Sequence, residues 1–343
     1  MKINQIHNIN KKKDFIIGIG FLRVILSFMV IMDHLYDKNK LRKYHYILYY
    51  HIPTFFLISF YFTYRTLISF NIEKLKSRLE RIIIPYFSWS TISWILKNIY
   101  FYILKRECRH SFLDYIINLI NGHILLVPLW FQNILILITL AFIIIIFLFK
   151  NNFIIIFHIL GILAIVSQYS EFNYNFFKKK FDVHTRLTYG RFAESFPNAV
   201  IGFSLAHYEF IRIIKNKKYI LYYWSIILIL ITKYNIFSDL KTFKYGGIRL
   251  SIAANCIFII FSLFPFQKLK NKYIINGFIK ITNYTAGIYF THYLIGKGYI
   301  CKSILHIKYF NILGCIIIYI ISYLISMIGS KLLGKTKFRH LFI

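Results

Sequence analysis

The feature that most constrains this 343-residue chain is a succession of long apolar runs, each closed off by Lys and Arg. About 20 apolar residues in a helix cross the ~30 Å hydrocarbon layer of a bilayer. The runs fall near residues 15-36, 46-64, 82-104, 124-149, 153-168, 192-211, 218-232, 248-266, 278-296 and 307-330. They are longer than the roughly ten-residue strands of an outer-membrane barrel and lack strand alternation. A formal charge of +31 beside 58% hydrophobic and 20% aromatic residues excludes a soluble nucleic-acid binder and a disordered basic tail. With only 15 Gly and 5 Pro, collagenous and low-complexity classes fall away too. The reading is an all-α, polytopic integral membrane protein with about ten transmembrane helices.

Lys11, Lys12 and Lys13 ahead of Phe15 imitate a secretory signal, but the run that follows reaches about Tyr36 without a small-residue cleavage site. It therefore reads as a retained first span. No repeat and no Pro/Gly/Ser linker divides the chain, so residues 1-343 read as one domain, with a core at about 15-330 and no fused soluble domain. An even number of spans puts both termini on one side, and a slight excess of Lys and Arg assigns that side to the cytoplasm, in a multi-pass protein of the cytoplasmic membrane. The longest outer connection, about Tyr169 to Arg191, carries Lys178-Lys180 and reads as a solvated loop. Gly122 and Pro128 interrupt the fourth run, whose start reads as re-entrant. The four cysteines are scattered, without CxxC or histidine spacing, so neither a disulfide framework nor a metal site is expected.

Arg23 lies about eight residues inside the first apolar run, where an arginine costs roughly 2.5-3.5 kcal/mol on insertion scales. Snorkelling to the surface is the plain explanation. His34 offers another. Eleven residues at about 100° each bring it to within ~20° of the same helix face, ~16.5 Å away along the axis. One stripe thus presents a guanidinium and an imidazole, although a lone histidine at a helix end is equally consistent with an interfacial position.

Arg78 and Arg81 stand three apart ahead of the third run, so a helix there projects both from one face. Paired guanidiniums suit phosphate oxygens. The alternative is positive-inside anchoring, and the adjacent Glu80 is placed to neutralise part of the pair.

Taken in order, Arg23-x10-His34 and Arg78-x-x-Arg81 resemble membrane acyltransferase family 3. His51-Ile-Pro-Thr-Phe-Phe-Leu-Ile-Ser59, Arg81-Ile-Ile-Ile-Pro85-Tyr86, Leu129-Trp130-Phe131, Phe196-Pro-Asn-Ala-Val-Ile-Gly202 and Tyr284-Thr-Ala-Gly-Ile-Tyr289-Phe-Thr-His292 add to the likeness. It covers almost the whole chain, from about residue 15 to 330. The sequence departs from the pattern at Phe60, where a small glycine usually follows the serine, and at Asp33 before His34.

The resemblance implies transfer of an acyl group, acetyl in the usual case, from cytoplasmic acyl-CoA to a hydroxyl of a cell-surface or exported polysaccharide or a lipid-linked sugar. In that scheme Arg23, Arg78 and Arg81 bind the polyanionic donor, and His34 acts as general base or passes through an acyl-histidine. Asp33, Glu194 and His292 are candidates for the acceptor site or its support. His292 also fits a hydrogen-bonded core histidine, and Glu194 fits a partner for Arg191. Asp33 points ~100° away from His34 on a helix. Besides acyl-CoA, the acceptor glycan and the bilayer are the expected partners; neither a metal nor nucleic acid is. A glycan or lipid-linked-oligosaccharide translocator, using the same polar interior without chemistry, is the competing class.

Overall fold

A computed structural model describes residues 2-36, 50-69, 71-103, 111-120, 129-169, 183-214, 218-233, 247-265, 272-298, 310-334 and 336-342. Among them there is no strand, only an isolated bridge between Tyr36 and Phe310. The re-entrant start expected around Gly122 and Pro128, and the Lys178-Lys180 run, lie outside the described residues.

The helices are α1 Lys2–Leu35, α2 His51–Ile68, α3 Ile72–Ile103, α4 Phe112–Ile120, α5 Leu129–Phe149, α6 Phe153–Tyr169, α7 Val183–His207, α8 Phe210–Ile214, α9 Lys218–Lys233, α10 Gly247–Leu263, α11 Lys272–Thr282, α12 Thr285–Tyr293 and α13 Ile312–Leu332. Each of the ten apolar runs coincides with at least one of them. By length and hydropathy alone, Ile17–Leu35, Leu129–Val166 and Ile312–Leu332 can cross a bilayer, and Tyr219–Ile231 and Leu250–Leu263 are shorter apolar helices. Leucines, isoleucines and phenylalanines stay exposed along α5, α6, α9 and α13, the surface that lipid covers in a membrane protein.

Several boundaries move outward from the hydropathy limits, because a helix continues into water when its polar residues tolerate it. At 34 residues, α1 spans ~51 Å, so Lys11–Lys13 ride on its extension. α3 begins ten residues before its apolar run, and α7 takes in residues 183–191 of the expected loop. The ninth run divides at Asn283 and Tyr284 into α11 and α12, and α12 passes into a π-helical turn, Leu294–Gly298.

The interior is aromatic where α2, α5, α6 and α7 meet. Phe60, Phe142, Phe157 and Phe203 are fully buried, with Phe60 and Phe157 at 4.6 and 4.1 Å from the Phe142 ring. Phe60, the departure from the family pattern, therefore fills core space. Gly202 lets α7 lie directly on α2, since a Cβ there would overlap the Leu57 carbonyl. On the other side, α1 packs against α10, α11, α12 and α13, and so runs through the middle of the bundle.

Candidate active site

Helix α1 supplies the axis of the site. Its Arg23 Nη2 donates to Thr285 Oγ1 at 2.8 Å, Thr285 Oγ1 donates to the Thr282 carbonyl, and Thr282 Oγ1 reaches the Gly20 carbonyl at 3.0 Å. These hydroxyls fasten the break between α11 and α12 onto α1. Thr285 and His292 are seven residues apart, ~20° from the same face of α12. Two polar stripes therefore face each other along neighbouring helices, Arg23 to His34 and Thr285 to His292.

At the Arg23 end lies a cavity of about 570 Å³, within the usual range for a small-molecule site. Arg23, Arg78, Arg81 and Arg339 line it, with Ser59, Gln132, Asn283, Thr285, Tyr289 and His340. Arg78 is held by a hydrogen bond to Ser59 Oγ, and Arg81 Nε donates to the Ser77 carbonyl at 3.1 Å. Pro85 interrupts the backbone ladder of α3 beside the cavity, and Gln132 donates across to the Ile82 carbonyl at 3.0 Å. Among the described residues no carboxylate pairs with any of the four arginines. Glu80, placed by sequence to neutralise part of the pair, accepts from Lys337 Nζ at 2.7 Å. That hydrogen bond, aided by the charges of Lys337 and Lys76, holds its carboxyl below the usual range.

His34 is not on the cavity lining. It lies farther along α1, its ring stacked on that of His292 (5.5 Å, 10° between planes) and edge-on to Tyr293 at 5.7 Å. His34 Nδ1 is 4.0 Å from Asp33 Oδ2, longer than a hydrogen bond but within ion-pair reach, so the ~100° divergence on the helix does not keep the two apart. Asp33 is buried, with Oδ1 unpartnered among the described residues. His292 is fully buried. Its Nδ1–H donates to the Ile288 carbonyl at 3.1 Å, which leaves Nε2 as the ring's unprotonated nitrogen, unpartnered among the described residues. Phe310 N–H bonds the Leu35 carbonyl, and Leu35 also packs on Gly296 of the π-helical turn, so both flanks of the histidine pair are pinned.

Tyr289 joins the two ends. It lines the cavity, and its ring meets His292 at 6.1 Å. Asp33 and Arg191 act on it electrostatically. The Arg191 guanidinium lies 4.5 Å over Trp130 and also acts on the buried Glu194.

A family model described as an acyltransferase domain matches residues 16–331. The chain belongs to this acyltransferase family. Neither the curated proteins nor the solved structures yield a match.

Membership makes the protein a membrane acyltransferase, which accounts for a polar interior by chemistry rather than by transport alone. Of the sequence candidates, this acyltransferase gathers Arg23, Arg78 and Arg81 around one cavity and sets His34, Asp33 and His292 together beyond it. Glu194 belongs to a third group, beside Arg191 and Trp130. Sequence reading missed Arg339 and His340 altogether, and it gave Thr285, inside a quoted stretch, no role. Thr285 stands 262 residues from its Arg23 partner, a pairing that no local spacing announces.

Proposed function

We propose that this membrane acyltransferase uses acyl-CoA, acetyl-CoA in the simplest case, and esterifies a hydroxyl of a cell-surface or exported polysaccharide or a lipid-linked sugar. The observation that carries the donor is the cavity with four arginines and no carboxylate partner among the described residues. Uncompensated guanidiniums in a partly buried site favour a polyanion, and coenzyme A carries its charge on phosphates. In this reading the Lys11–Lys13 end of α1 faces the cytoplasm of a multi-pass protein in the cytoplasmic membrane, and the donor enters from there. Its flexible arm runs past Tyr289 toward the histidine pair.

His34 takes the proton of the acceptor hydroxyl, whose oxygen attacks the thioester carbonyl. The carbon–sulfur bond breaks, and the departing thiolate takes up a proton. Asp33 beside His34 Nδ1 balances the imidazolium that forms, and His292 fixes the ring plane by stacking. Glu194, with Arg191 and Trp130, shapes the acceptor side.

The test is to express His34→Ala as the only copy and measure acyl esters on the host's surface glycan at matched protein level. The reading expects those esters to disappear. Normal esterification would take His34 out of the mechanism.

A further inference from the structure

Beyond residue 331, where the family match stops, the chain returns to the cavity. A 3₁₀ turn, Lys337–Leu341, places Arg339 and His340 on the lining that Arg23 shares. The turn is built in at several points. Trp89 Nε1 donates to the Leu341 carbonyl at 3.2 Å, and Leu341 is buried with Tyr86, Trp89 and Phe290. The Phe342 ring occupies space left by Gly329, where a Cβ would come within 2.6 Å of it. At Gly287 a Cβ would stand 2.7 Å from the Phe342 carbonyl oxygen. Arg339 itself is exposed and lies on the cavity lining, where its guanidinium fork can reach a phosphate.

Lys337 adds a second device. Glu80 is the acid closest in sequence to Arg78 and Arg81, and Lys337 engages it from the turn. That pairing engages the carboxylate nearest to the arginines in sequence, and among the described residues no carboxylate pairs with the arginines of the cavity.

We propose that this C-terminal strap is the outer wall of the donor site and that Arg339 binds the nucleotide phosphates of coenzyme A, while Lys337 sequesters Glu80. The proposal rests on the acyl-CoA reading above. It goes beyond the family pattern, because the strap lies outside the matched residues.

The experiment is calorimetric binding of CoA, and of pantetheine by competition, to the purified full-length protein in detergent. Pantetheine shares the thiol arm but lacks the nucleotide and its phosphates. Arg339→Ala should weaken CoA binding roughly tenfold, the size of one charge-assisted contact, and leave pantetheine unchanged. Arg339→Lys should recover part of the loss. Lys337→Ala, which leaves Arg339 in place but frees Glu80, should weaken CoA by a smaller factor. Unchanged CoA binding by Arg339→Ala, in a protein whose wild type binds CoA, overturns the strap proposal alone. Equal loss of CoA and pantetheine overturns the phosphate contact by assigning the strap to the cavity's shape. A wild type that binds no CoA overturns the donor reading and this proposal with it.

Discussion

The two ends of the α1 stripe are built on opposite principles. Around Arg23 the walls carry charge and the space is about 570 Å³, wide enough for a ligand. Around His34 the Asp33 carboxylate stands at 4.0 Å, and aromatic rings and the Leu35–Phe310 backbone bond hold the imidazole. The contrast teaches a division of labour. Charge is spent where a diffusing anion must be captured, and rigidity where one atom must be held within a few tenths of an ångström of its reacting partner.

The largest effect should come from the rigid end. His34→Ala should lower turnover by about 10²–10⁴, the usual contribution of a positioned acid–base group, with donor KM little changed. Steady-state rates on the purified enzyme would expose a mixed effect, which would blur the division. At the charged end, Arg78→Ala with Arg81→Ala should raise donor KM by roughly 100-fold, as expected for two lost charge-assisted contacts, with the smaller change in kcat. His292→Asn keeps a donor for the Ile288 carbonyl but removes the ring stacked on His34. A kcat about tenfold lower and a shifted pH–rate profile, at unchanged donor KM, would mark it as a positioning residue. An unmoved pH profile would reduce it to packing.

The smallest effect concerns pH. Lys337 holds the Glu80 carboxyl below its ordinary value, so the link stabilises the folded protein above that ordinary value, near 4.3, and is lost as pH falls through the lowered one. Because the pair is accessible to water, the melting temperature should drop by only about one degree on acidification beyond what Glu80→Gln shows. A larger difference, measured by thermal melts at pH 6 and pH 4, would mean that the strap is less firmly docked by Trp89 and Phe342 than its contacts indicate.

Much of the fold was legible because membrane helices announce themselves in hydropathy, and the Arg23–His34 stripe because helical spacing is a local property. The start of α3 was not legible. Ile72 to Arg81 is helical yet charged, and a hydropathy window ends where charge begins. The break at Asn283–Tyr284 carries no proline, and it is held by Arg23, Thr282 and Gly20 through contacts 262 residues apart. The partner of Glu80 was not legible, because sequence neighbours compete with distant groups and Lys337 stands 257 residues away. Arg339 and His340 gave no signal, since a short basic segment after a last span reads as anchoring until the fold returns it to the cavity.

The most direct test of the division is equilibrium binding of CoA to three proteins: the wild type, His34→Ala, and the Arg78→Ala/Arg81→Ala double variant. The account predicts that His34→Ala binds CoA as the wild type does, while the double variant binds roughly 100-fold more weakly. A double variant with wild-type affinity, or a His34→Ala protein that loses CoA, would contradict the assignment of capture to one end of α1 and chemistry to the other.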